Sequence, residues 1–307
     1  MDAAILQYLG QDALLASVAR APYTPGQLAP FFVTDSLKDV TALIANPVAE
    51  AINPTKPIAR GGPRMPIAPK DGDVQVVKTE TFGWEKALYA DSVLGRPETL
   101  QQRVDNVTAW LRKQADVQHE FQRLKAVLQP SNVFGARPAP VTIALSSDAT
   151  KLQQAIFDSI VVPMESALGG LVYTSLHVFA SNGFWSAWLG NKERRETLIY
   201  QQSADLRADP RQVSIFGGLS LERYRGYGAL NLPANVAYAI PMGIDGMFRQ
   251  AFAPDDTIDS IGQGQEGQPY FPNAWELGDR KGYRLTMQTH PLMICTRPDC
   301  ILEIHLT

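Results

Sequence analysis

The sequence has few of the residues that most often bind metals or form disulfides. Among its 307 residues only two are cysteines, Cys295 and Cys300. Two cysteines cannot form a disulfide framework, and without a second pair they do not make a tetrahedral zinc site. We therefore expect two free, buried thiols that behave as small apolar side chains.

The four histidines do not form a metal-ligand pattern. They are His119, His177, His290 and His305, and no two of them are close in the sequence. His119-Glu120 lacks the second histidine that a zinc-protease helix requires, so we predict that this pair lies on a helix surface.

Other enzyme motifs are missing as well. No Gly-x-Ser-x-Gly elbow occurs, and the glycines of 262–267 lack the Lys-Ser/Thr ending of a phosphate-binding loop. Asp255, Asp256 and Asp259 lack the glycine and the final glutamate of a calcium loop, so we predict that they cap a turn. The sequence therefore predicts no catalytic residue, no cofactor and no metal site.

Long apolar runs and strong charge are also absent. No base precedes Arg20, which is wrong for a secretory signal, and no segment approaches membrane-spanning length. We expect a chain that stays in the cytosol where it is made. The formal net charge of −3 argues against tight binding of nucleic acid, while 45% apolar residues are enough for a sizeable core.

Proline and basic residues are concentrated in residues 46–70, which hold six prolines, four bases and one acid. Such a density of proline excludes a helix or a central strand. Because 41–44 and 73–82 have strand composition, we predict a long hairpin over 41–83 with a basic tip. The tip residues predicted to contact another subunit are Lys56, Arg60, Gly61, Gly62, Arg64 and Lys70. A nucleic-acid arm is the alternative, but 46–70 has no aromatic residue for base stacking, which favours a protein partner.

The clearest single element is a helix predicted over 98–128. Pro97 and Glu98 are typical of a helix start, apolar residues follow one face, and Pro130 closes the pattern. The helix would be about 46 Å long, which is longer than most helices of globular proteins. We call it the spine helix.

The rest of the chain mixes strands and helices, which predicts an α/β or α+β fold. A strand at 172–180 leads into a helix after Ser181, and a helix from 150 to 160 is disturbed by Pro163. Residues 212–216 and 219–224 are predicted to form a hairpin at Gly217-Gly218. Alternating apolar residues predict further strands near 283–288 and 300–306, so the chain should end inside a sheet.

The last third of the sequence resembles the lambda-type major head proteins of tailed bacteriophages. The segments that carry this resemblance keep the family's order and spacing, and they are Tyr270-Phe271-Pro272-Asn273-Ala274-Trp275, Gly278-Asp279, Tyr283-Arg284-Leu285-Thr286-Met287-Gln288 and Pro291-Leu292-Met293. Weaker similarity earlier in the chain occurs at Phe31-Phe32, Arg60-Gly61-Gly62 and Val178-Phe179.

The resemblance implies an α+β fold of the Hong Kong 97 capsid type. It implies an N-terminal arm at 1–40 and an extended loop at 41–83. A peripheral domain would comprise 84–147 and 246–291 and include the spine helix. An axial domain would comprise 148–245 and 292–307.

The same resemblance implies a structural protein of the virion, assembled in the bacterial cytoplasm into a shell around the phage genome. The implied partners are other copies in hexamers and pentamers, portal, scaffolding and possible decoration proteins, and packaged DNA that is faced without sequence-specific binding. Two alternatives stay open at this point. One is an encapsulin-like compartment shell with a cargo enzyme, and the other is a cytosolic α/β enzyme built around His177 or Asp255.

Overall fold

The chain forms two compact units in the computed structural model. The structure describes residues 9–21, 26–45, 74–89, 91, 99–145, 151–169, 171–200, 213–226, 228–257, 266–278 and 281–307. The first unit comprises residues 1–44, 76–125 and 249–294, and the second comprises 45–75, 126–248 and 295–307. Each unit combines strands with helices, so the predicted α+β class is confirmed.

The helices and strands lie mostly where the sequence patterns place them. The α-helices are α1 Gln11–Arg20, the spine helix α2 Leu100–Leu128, α3 Leu152–Ile156, α4 Val162–Leu168, α5 Asn182–Gly190 and α6 Lys192–Tyr200. The strands are β1 Val33–Ser36, β2 Thr41–Ala45, β3 Val74–Lys78, β4 Phe82–Tyr89, β5 Val141–Ile143, β6 Ser175–Ala180, β7 Ser214–Phe216, β8 Leu219–Arg223, β9 Val236–Met242, β10 Phe248–Phe252, β11 Phe271–Glu276, β12 Gly282–Thr289, β13 Pro291–Cys295 and β14 Leu302–Leu306. No helix in the described ranges is both long enough and apolar enough to cross a membrane.

The core of the first unit forms where three amphipathic elements meet. Leu14 and Val18 of α1 pack in one cluster with the apolar face of the spine helix, represented by Leu111, and with Leu285 and Met287 of β12. All five side chains are buried. Burial of such side chains is the main source of stability, at about 1.5–3 kcal/mol each.

Two three-stranded sheets belong to the first unit. In one, β12 is the central strand and pairs antiparallel with β11 and β4. In the other, β10 lies between β1 and β13, and β1 runs parallel to β10. Alternation along β12 buries Leu285 and Met287, as the sequence pattern predicts.

The second unit is built on a six-stranded sheet with the order β5-β14-β9-β6-β8-β7. Six of the seven residues of β9 are buried, which suits its place inside the sheet. The predicted hairpin is present as β7 and β8, whose turn residues Gly217 and Gly218 both have positive φ angles. Glycine adopts such angles at no steric cost.

The segment around Pro163 differs from the prediction. Instead of ending near residue 160, the helix continues through a π-helical stretch, Phe157–Val161, into α4. Pro163 lies in the first turn of α4, where its missing N–H does not break an α-helical ladder. The proline therefore changes the hydrogen-bond register of the helix without terminating it.

Candidate assembly site

The six tip residues predicted to contact a neighbouring subunit lie outside the described residues. They are Lys56, Arg60, Gly61, Gly62, Arg64 and Lys70. The two strands that lead to this tip, β2 and β3, are present and pair with each other. The described part of the site is therefore the base of the hairpin.

Hydrogen bonds tie the hairpin base to the rest of the first unit. The backbone N–H and the hydroxyl of Thr79 both donate to the carbonyl of Val40, at 3.1 and 3.0 Å, and so join the two strands of the hairpin to each other at its base. The Glu80 carboxylate accepts from Gln122 at 2.9 Å and from Lys125 at 3.4 Å, and both of these residues are on the spine helix. The segment that follows β3 is thus hydrogen-bonded to the spine helix.

The hairpin base presents apolar side chains to solvent on one side and buries them on the other. Val40, Leu43 and Val76 are 56%, 71% and 62% exposed. Ala42 and Ile44 are buried and help to line a groove of about 390 Å³ with residues of β1, β10 and β13. Leu43 and Val76 are exposed on the two-stranded ribbon, and Val40 is exposed directly before it; exposed apolar side chains are typical of surfaces that contact another chain.

An arginine of the spine helix holds α1 in place. The Arg112 guanidinium donates to the carbonyl oxygens of Val18 and Ala21, where α1 ends, and lies 5.1 Å from the centre of the Tyr270 ring. The Tyr270 hydroxyl donates to Asp116. Burial, together with this carboxylate, raises the pKa of Tyr270, so the phenol stays protonated. Arg112 thus adds a positively charged donor to the carbonyls at the C-terminal end of α1, where cations are favourable.

A buried charged pair holds the segment after α1. Glu120 and Arg123 lie on the spine helix with their charged atoms 3.4 Å apart, and both are buried. Glu120 also accepts from the backbone N–H of Leu28 at 3.0 Å, and Arg123 donates to Gln250 of β10 at 3.0 Å. A Cβ atom at Gly26 would meet the carboxylate of Glu120, which would have to shift to make room for it.

The prediction that His119 and Glu120 form a surface pair was wrong. His119 is 2% exposed, its Nε2 lies 2.8 Å from the Thr289 hydroxyl, and its ring packs against Phe252 and Tyr270. Burial, together with the charge of Arg123, lowers the pKa of His119 to about 3. Most side chains in the C-terminal half of the spine helix are buried, so several polar residues there lie in the protein interior.

The second unit carries a separate set of exposed apolar residues. Val172, Tyr200 and Ile215 are 86%, 86% and 66% exposed. Ile215 lies on β7, which is an edge strand of the six-stranded sheet. Unpaired strand edges and exposed apolar side chains are typical of surfaces that contact another chain.

The remaining candidates from the sequence are explained by packing and turns. Cys295 and Cys300 are free and buried, as predicted, and burial raises the pKa of each thiol to about 12. The Asp255 carboxylate accepts from the Asp256 N–H at 3.1 Å and the Thr257 hydroxyl at 2.9 Å, as expected of a residue that caps a local bend, whereas Asp259 lies outside the described residues. His177 lies on β6, and its Nε2 is 3.3 Å from Glu222 of β8.

The sequence analysis missed the polar contacts of Asp116, Glu120 and Arg123. The helical pattern gave no signal for them, since Asp116 and Glu120 lie one and five residues after Ala115 and so point away from the apolar face of Leu111 and Ala115. Polar residues off that face were assigned to solvent because their partners are distant in the sequence. Leu28 and Gln250, for example, come from separate segments.

A spine helix, the paired base of a hairpin and two mixed units are the arrangement of the Hong Kong 97 capsid fold, and solved structures with this fold share it. A candidate capsid protein of a prophage of E. coli CFT073 matches with a TM-score of 0.62 at 13% identity, over 97% of this chain and 99% of that one. The mature capsid protein of bacteriophage PhiM1 matches with a TM-score of 0.54 at 15% identity, over 94% and 89%.

The fold alone does not separate a phage head from a cellular compartment. The SrpI encapsulin of Synechococcus elongatus PCC 7942 also matches, with a TM-score of 0.51 at 12% identity, over 99% of this chain and 95% of that one. The sequence does separate them, because the model of the family described as Phage major capsid protein E matches residues 10–306. The chain belongs to this family. No curated protein shows significant sequence similarity to it.

Membership confirms the resemblance found in the last third of the sequence. The protein is a structural major capsid protein of a phage head shell, its place is the capsid of the virion, and it is not an enzyme. It assembles with copies of itself. The encapsulin-like and enzymatic alternatives are not supported.

Proposed function

We propose that the extended loop at 41–83 closes the shell by lying on a neighbouring subunit. The observation that supports this most directly is the hairpin base, which is hydrogen-bonded to the first unit while Val40, Leu43 and Val76 face solvent. Removing three such side chains from water contributes about 1.5–3 kcal/mol each if burial is complete. Many modest contacts of this kind add up in a closed assembly.

The same proposal divides the chain into two domains of a capsomer subunit. Residues 84–147 and 246–291 form the peripheral domain, and residues 148–245 and 292–307 form the axial domain. The exposed apolar residues of the second unit, including Tyr200 and Ile215, suit contacts between axial domains around the axes of hexamers and pentamers. Portal, scaffolding and possible decoration proteins complete the head.

Packaged double-stranded DNA faces the inside of this shell without being bound tightly. The net charge of −3 supplies no overall attraction for phosphates. Shell assembly therefore depends on contacts between proteins, and we propose that it proceeds without nucleic acid.

Electron microscopy of the expressed full-length chain tests the proposal. We expect hollow shells tens of nanometres wide, or rings of five and six subunits, in samples treated with nuclease and supplied with any scaffolding protein encoded beside the gene. A chain with the loop 46–70 replaced by a short Gly/Ser turn should give folded subunits or rings but no closed shells. Closed shells from the loop-deleted chain would contradict the role given to the loop.

A further inference from the structure

We infer that the solvent-facing side of the sheet β11-β12-β4 receives the hairpin base of a neighbouring copy of this chain. We call the residues Tyr89, Trp275 and Arg284 on this side the platform, and the paired strands β2 and β3 the ribbon. The inference rests on the role proposed for the loop, and it names the surface of the neighbouring subunit on which the base of that loop lies.

The register of the sheet places the three platform residues on one side. Trp275 of β11 lies opposite Arg284 of β12, which lies opposite Ala87 of β4, and directly opposite residues share a side of an antiparallel sheet. Tyr89 comes two residues after Ala87 and so points to the same side. The other side carries Leu285, which packs in the core with the spine helix. One side of the sheet is therefore core, and the platform side faces solvent.

The platform exposes the residue types that bind most strongly at protein–protein interfaces. Trp275 is 58% exposed and Tyr89 is 53% exposed. Arg284, on the central strand, is also exposed and forms an ion pair with Glu85 at 3.5 Å. Tryptophan, tyrosine and arginine contribute most of the binding energy in many protein–protein contacts. Their combination on the open side of one small sheet is typical of a contact surface.

The ribbon and the platform of one chain are separate surfaces. The ribbon strand β3 leads into β4 at Phe82, whereas Tyr89 is the last residue of β4. Seven residues of extended strand span about 23 Å. Leu43 and Val76 of the ribbon are 71% and 62% exposed while Trp275 is exposed as well, so the ribbon does not cover the platform of its own chain.

Two unlike surfaces on each subunit are what a head-to-tail ring requires. In such a ring the first surface of one copy binds the second surface of the next, and the last copy closes on the first. The ribbon offers the aliphatic side chains of Leu43 and Val76, and the platform offers the aromatic side chains of Tyr89 and Trp275. Because the chain assembles with copies of itself, a second copy supplies the occupant of the platform.

The charges around the platform favour this occupant over packaged DNA. Arg284 and Glu85 compensate each other, and the exposed neighbours of the aromatic residues are the acids Asp91 and Glu276 and the base Lys281. Acids therefore outnumber bases, which disfavours contact with phosphates. The same balance suits the ribbon, because the ribbon leads into the loop segment that holds four bases and one acid.

Photo-crosslinking in assembled particles tests the inference. The photoreactive amino acid p-benzoylphenylalanine replaces Trp275 in the full-length chain, and shells or rings are assembled from this chain mixed with isotope-labelled wild-type chains. We expect the crosslinked peptides to contain ribbon residues, 41–45 or 74–78, from a labelled copy. The matched control carries the probe in place of Trp110, an exposed residue of the spine helix beside Lys86, and should give no ribbon peptides.

Serine substitutions give a second readout. Trp275→Ser should raise the subunit concentration needed for assembly by about tenfold or more, whereas Trp110→Ser should change it by less than about twofold. Leu43→Ser should add little to the effect of Trp275→Ser, since the two side chains share one contact. Thermal melts of the unassembled subunits establish that each variant folds.

The possible outcomes separate this inference from the role proposed for the loop. Crosslinks from position 275 to another part of the chain, to a scaffolding or decoration protein, or to nothing would overturn it, and so would equal effects of the two tryptophan substitutions. If the Trp275 probe prevents assembly, Tyr89 is the second position for it. A loop deletion that prevents closure, combined with no crosslink to the ribbon, would mean that the loop lies on a different surface of its neighbour.

Discussion

Glu120 shows how the environment of one residue decides the effect of losing its charge. Its ion pair with Arg123 is buried. The ion pair that Glu80 forms with Lys125 of the spine helix is half exposed. Removing one partner of a buried pair typically costs about 3–5 kcal/mol, and an exposed pair contributes about 0–1 kcal/mol.

We therefore predict that Glu120→Gln lowers the free energy of unfolding by about 3 kcal/mol, because Arg123 stays buried without its counter-charge. Chemical denaturation of unassembled subunits measures the change. Glu80→Gln is the matched control and should cost about 1 kcal/mol or less. Equal effects of the two substitutions would show that Arg123 finds another partner.

His119 makes the first unit sensitive to acid. Its pKa is about 3 in the folded chain and about 6.5 when unfolded. Below pH 6.5 the unfolded chain therefore binds a proton that the folded chain does not, and stability falls as the pH decreases toward 3. At pH 5 the loss amounts to about 2 kcal/mol.

The prediction is that His119→Gln removes this part of the pH dependence while keeping a polar partner for Thr289. Unfolding free energies of both proteins between pH 5 and pH 8 provide the measurement. The difference between them should change by about 2 kcal/mol over the range. Parallel pH profiles would mean that His119 is protonated in the folded chain.

At the scale of elements, the ladder of β4 and β12 ends in one close contact between the two backbones. Gly282 lies opposite Tyr89 at the end of this ladder. A Cβ atom at Gly282 would lie 2.2 Å from the backbone oxygen of Leu88, which cannot move away as a flexible side chain can. Gly278, four residues earlier, has open space around the same position.

We predict that Gly282→Ala destabilises the first unit by about 1–3 kcal/mol, through overpacking against the β4 backbone. Gly278→Ala should change stability by less than about 0.5 kcal/mol. Thermal melts of the two variants make the comparison, with hydrogen exchange at β4 and β12 to locate the effect. A neutral Gly282→Ala would mean that the end of the ladder opens easily.

The elements that the sequence predicted well are those with a long regular pattern. The spine helix, the hairpin β7–β8 and the alternating strand β12 are confirmed because periodicity and turn residues are local properties. The π-helical stretch before Pro163 was not predicted, since its register depends on how the helix packs. The interior position of His119 and Glu120 was missed for the same reason, because their partners come from other segments.

At the scale of the whole molecule, the basic tip of the extended loop can be tested by charge. Arg60→Glu with Arg64→Glu should prevent shell assembly, because the predicted contact joins different chains. The melting temperature of the unassembled subunit should stay nearly unchanged. Electron microscopy and calorimetry on the same preparation provide the two readouts.

Arg60→Lys with Arg64→Lys is the matched control for this experiment. It keeps the positive charge and should still allow shells to form if charge is what the contact requires. Failure of both double variants would point to the guanidinium geometry instead of charge. Loss of the subunit fold on charge reversal would refute a role between subunits.

The strand order of the second unit also constrains when the protein can fold. β5 pairs with β14 and with no other strand of its sheet, although about 160 residues separate the two in the sequence. A nascent chain therefore cannot complete this sheet until residues 302–306 have left the ribosome. Contacts of such long range fold slowly and leave strand edges open in the meantime. Synthesis itself thus delays the moment at which the sheet of the second unit is complete.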